Sequence, residues 1–139
     1  MLRKRPFRVR HVAVTAAVSE KLPIYRLRFS SQPRGEFCGF SLDDDSVSLE
    51  WSEPSGAGEW SKRLQEPRPR GADAWFVVEQ PGGVPLTSNA DFACYLQVTE
   101  QRGPTEANGA PSLLGWVVIC FNDPDQSWIA GTFAADGCR

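Results

Sequence analysis

The residues that could act as acids, bases, nucleophiles or ligands in this chain are few and widely spaced. There is one histidine, His11. Any Ser/His/Asp or Cys/His relay would have to run through it. It stands beside Arg10 at the start of an alternating apolar stretch, which suits a structural or surface role better than a catalytic one. A zinc centre needs several His or Cys ligands, and Cys38, Cys94, Cys120 and Cys138 form no CxxC pair. Gly56, Gly58 and Gly71 do not lead from an apolar strand into a helix, so they do not build a phosphate cradle.

Acidic chemistry fares little better. Asp43, Asp44 and Asp45 are consecutive and project in different directions, whereas calcium asks for roughly six to eight converging oxygens. A solvated turn accounts for them. Glu50 and Glu79 are the acids to consider for a paired-carboxylate hydrolase, but nothing in the spacing sets them face to face. No catalytic set, metal or cofactor is therefore expected, and an acid-dependent hydrolase ranks behind two binding readings.

Binding chemistry has more to draw on. Trp60 lies between Glu59 and the Lys62-Arg63 pair, an apolar anchor ringed by charge in the manner of an interface hot spot. Trp128 follows the polar turn Asn122–Asp125. Trp60, Lys62, Arg63 and Trp128 are thus the candidate binding residues. Trp51, Trp75 and Trp116 sit in strand patterns that predict burial.

Charge is divided along the chain. Residues 1–34 hold nine Lys or Arg and one acid, a net +8, and the remainder holds six bases and sixteen acids, a net −10. The arm carrying Arg3, Lys4, Arg5, Arg8 and Arg10 could meet phosphate, and pairing of the first two strands would add Arg26 and Arg28 to the same surface. The acidic remainder opposes nucleic-acid binding.

These residues must be positioned by strands. Period-two alternation marks Tyr25–Ser30, Ser46–Ser52 and Phe92–Thr99 as half-buried strands. Trp75–Val78 and Leu113–Phe121 are apolar throughout and read as strands covered on both faces. Phe7–Val18 changes phase near Arg10 and His11, which predicts a bulge. Phe37–Leu42 and Ser127–Ala134 complete about eight strands. Residues 53–71 lack alternation and hold Pro54, Pro67 and Pro69, which predicts an irregular excursion with a short helix near 59–65.

Hairpin-length connections and missing crossover helices predict an all-β, single-domain antiparallel barrel or sandwich over 1–139. The longest apolar run, Leu113–Phe121, is too short to span a membrane. The basic start is not followed by a signal-like apolar segment, and a cytoplasmic protein is expected, or an exported one if the cysteines pair. The leading expectation is a non-enzymatic protein-binding domain of inhibitor, immunity or adaptor type. The alternative is a barrel or sandwich holding a small apolar or carbohydrate ligand, marked by an internal cavity.

Overall fold

The computed structural model describes residues 1–19, 22–31, 45–52, 58–66, 73–79, 85–87, 90–103 and 110–138. Among these lie nine strands and no helix. They are β1 (His11–Ser19), β2 (Leu22–Ser30), β3 (Ser46–Ser52), β4 (Gly58–Lys62), β5 (Asp73–Glu79), β6 (Pro85–Thr87), β7 (Phe92–Arg102), β8 (Ser112–Phe121) and β9 (Trp128–Gly137). All belong to one sheet in the order β4-β7-β8-β9-β1-β2-β3-β5-β6. No described helix is long and apolar enough to cross a membrane.

The sheet curls into a half-barrel. Two aromatic contacts show how its halves meet across the interior. Phe76 of β5 meets Phe121 of β8 edge-on with centroids 4.9 Å apart, and Phe29 of β2 meets Phe133 of β9 at 5.8 Å. Around them pack Val14, Leu27, Val47, Leu49, Trp51, Leu96 and Ile119, each almost wholly buried. These are the alternate residues of their strands, as a curled sheet with one inner face requires.

Every neighbouring pair is antiparallel except β1 and β9, which run parallel. The sheet is therefore mixed. Most antiparallel neighbours follow one another in the chain, as short connections require, whereas β3 with β5 and β4 with β7 do not. No turn joins β9 to β1, so nothing imposes the antiparallel sense at that seam.

Several local expectations are corrected. Residues 58–62 form strand β4, not a helix. Trp60 pairs with Leu96 and Lys62 with Cys94 of β7, and this ladder satisfies the backbone of a segment whose side chains alternate inward and outward. A turn follows, closed by Glu66 N–H to Arg63 O at 3.3 Å. Residues 53–57 and 67–71 of the expected excursion lie outside the described residues, as does the strand expected at Phe37–Leu42.

The two fully apolar segments are covered on one face only. In β8 the buried Leu113, Val117, Ile119 and Phe121 alternate with outward residues, of which Leu114, Trp116 and Cys120 are exposed. In β5, Phe76 and Val78 face the core while Trp75 lies outside, beneath the Arg26 guanidinium at 5.1 Å. The phase change near His11 is the start of β1 and not a bulge, because the preceding arm turns away. The register irregularity lies in β7, between Val98 and Glu100.

Candidate functional site

The seam between the first and last strands is short. Its registered pairs are Ala13 with Asp136 and Val14 with Gly137. Carried backwards, that register would bring Gly131 opposite Arg8. Instead β1 begins at His11, and the arm ahead of it crosses the gap as a clasp. Its turn is closed by reciprocal hydrogen bonds between Leu2 and Arg5 at 2.9 Å, with Arg3 and Lys4 at positive φ. Leu2 is buried. Trp128 N–H donates to Met1 O at 2.8 Å, Arg3 N–H donates to Ser127 Oγ at 2.8 Å, and Asp125 faces both Arg3 and Lys4. At the far end Arg10 N–H donates to Ser30 O at 2.8 Å.

Beneath the clasp lies a cleft of about 330 Å³. Phe7 and Val9 of the arm, Val12, Phe29, Ile129 and Phe133 give it apolar walls. Gly131 stands at its edge with φ +148° and open space where a Cβ would project. Only glycine adopts that backbone readily. Phe7 and Arg8 also border a second cavity of about 320 Å³, lined further by Pro6, Arg10, Ser31 and Asp45. The arm thus separates an apolar space from a polar one.

The four residues singled out from the sequence do not converge. Trp60 is half-buried and packs against the core from β4, at one end of the sheet. Trp128 begins β9, with β7 and β8 between, and is 47% exposed on the outer face. Arg63 is exposed. Lys62 is a correction, because its side chain is wholly buried. Its ammonium donates to Asp91 Oδ1 at 2.8 Å, Phe92 O at 2.7 Å and Arg63 O at 3.1 Å, and lies 4.5 Å from the Phe92 ring centroid. Lys62 therefore ties the edge strand to the start of β7. Asp91 is held down at about 2, first by the Lys62 hydrogen bond and then by Gln65 N–H.

His11 Nε2 lies 3.4 Å from Asp136 Oδ2, so the lone histidine bridges β1 and β9 beside the seam. Glu50 faces Arg26 in an ion pair. The Glu79 side chain and Asp43 and Asp44 lie outside the described residues. Among the described residues no group of three or more His, Cys, Asp or Glu could hold a metal.

The outer face of β7, β8 and β9 is a second apolar feature. Trp116 stacks on Tyr95 with centroids 4.5 Å apart, and Leu114, Cys120 and Trp128 are exposed on the same face. Sequence reasoning missed both features. The phase change at Arg10 and His11 was the available signal for the cleft. Its apolar walls otherwise look like ordinary core positions.

Comparison with protein families, with characterised proteins and with solved structures returns no match.

Proposed function

We propose that this protein binds a small apolar ligand in the cleft beneath its N-terminal arm. The observation that carries this reading is a space of about 330 Å³ bounded by Phe7, Phe29, Ile129 and Phe133 and open at the arm. Small-molecule sites start near this size, from about 300 Å³, and have mainly apolar walls with a few polar groups. A dry apolar cavity of roughly 150 Å³ takes benzene, so a space twice as large suits a chain of about ten carbons. The proposed role is non-enzymatic.

The test is calorimetric titration with 1-decanol, comparing the native chain with Val12→Phe, whose added ring occupies the cleft. Binding by the native chain and its loss in a folded Val12→Phe variant support the reading. No binding by the native chain refutes it.

The protein-partner reading rests on the outer face, where Trp116, Trp128 and Leu114 are exposed in neighbouring strands. Aromatic residues of this kind are enriched at interfaces. Trp60 and Lys62 leave that reading, since one packs on the core and the other is buried. As for compartment, Cys138 is buried and disulfide-bonded. Oxidising compartments sustain such bonds, which favours an exported site of action over a cytoplasmic one.

A further inference from the structure

Resting on the cleft reading, we infer that the ligand is an anionic amphiphile whose head is held by Arg8 and Arg10. The apolar cleft and the polar cavity share Phe7 and Arg8 as their common wall. A ligand whose chain lies against Phe29, Ile129 and Phe133 has its other end at this arm.

Among the described residues, the charged ones that line the polar cavity are Arg8, Arg10 and Asp45, two bases and one acid. Both arginines are exposed, so an anion reaches them without being buried. Arg10 is also fixed at its backbone by the bond to Ser30 O, and Ser31 adds a hydroxyl to the lining. Guanidinium forks match the paired oxygens of carboxylate and phosphate. The apolar wall alone would accept a neutral chain, whereas the arginines beside it favour one ending in an anion.

The experiment is calorimetric titration of the whole chain with 1-decanol, decanoate and monodecyl phosphate. Native protein, Arg8→Gln, Arg10→Gln and the double variant are compared at low and moderate salt. Both arginines are exposed, so these variants leave the core intact. Native protein is expected to bind one or both anionic probes about three- to tenfold more tightly than decanol, with the advantage shrinking as salt rises. Each single variant should erode that advantage, and the double variant should abolish it, so that decanol and the anionic probes bind the double variant alike. A preference for decanoate would point to a fatty-acid source, and one for decyl phosphate to a phospholipid or alkyl phosphate. Equal binding of decanol and both anions by native protein overturns the inference while leaving the cleft reading intact. So does an anion preference that survives in the double variant. Failure of all three probes to bind overturns the cleft reading as well.

Discussion

Replacing Asp91 by Ala should destabilise this protein more than replacing its partner Lys62 by Met. The asymmetry follows from burial. The Lys62 side chain has no exposure, whereas that of Asp91 is 31% exposed. Removing the carboxylate strands a buried ammonium with two carbonyls, Phe92 O and Arg63 O. Stranding a buried charge costs about 3–5 kcal/mol, and the surviving carbonyls place the cost near the lower end, about 3 kcal/mol. Lys62→Met instead removes the buried charge, keeps a similar volume and leaves a carboxylate that water can reach. Its cost should be about 1 kcal/mol.

Urea unfolding at neutral pH, with constant slopes across the set, reads both values. The pH dependence gives a second check. Asp91 is lowered from 3.8 to about 2 by the Lys62 hydrogen bond first and Gln65 N–H second. A depressed folded-state pKa adds stability that is full above about 4 and is lost as pH falls towards 2. Asp91→Ala should lose this part of the acid-induced decline. Equal costs for the two variants, or a neutral Asp91→Ala, would refute the argument and return Lys62 to the surface role its sequence context suggested.

Two further outcomes follow from packing. Gly115→Ala should cost about 3 kcal/mol, because the new Cβ would lie 2.0 Å from Gln97 O and 3.1 Å from a Phe133 ring carbon, and backbone cannot move aside cheaply; thermal unfolding checks this. With a polar alkylating reagent, exposed Cys120 should label in native protein, whereas buried Cys94, its thiol pushed up to about 12 chiefly by burial, should label only on unfolding.

The sequence carried the strand pattern because inner and outer residues alternate wherever one face is buried. Leu27, Leu49 and Leu96 identify their inner faces at sight. The apolar outer residues of β8 disguised this, since Leu114, Trp116 and Val118 make the segment read as doubly covered. Trp60 and Lys62 misled for another reason. Their interface-like charge pattern gave no hint that Asp91, distant in sequence, would draw the lysine inward. The cleft was not legible because it arises where the first and last strands, paired only at Ala13 and Val14, part from one another. Only the phase change at Arg10 and His11 signalled that parting, and it looked equally like a bulge.

The most direct test of the ligand-binding account is a nitrogen-15 NMR titration with 1-decanol, followed residue by residue. The account predicts saturable shifts centred on Phe7, Val9, Val12, Phe29, Ile129 and Phe133, with the outer-face residues Trp116 and Trp128 little changed. Shifts centred on Trp116 and Trp128, or no saturable shifts, would contradict it.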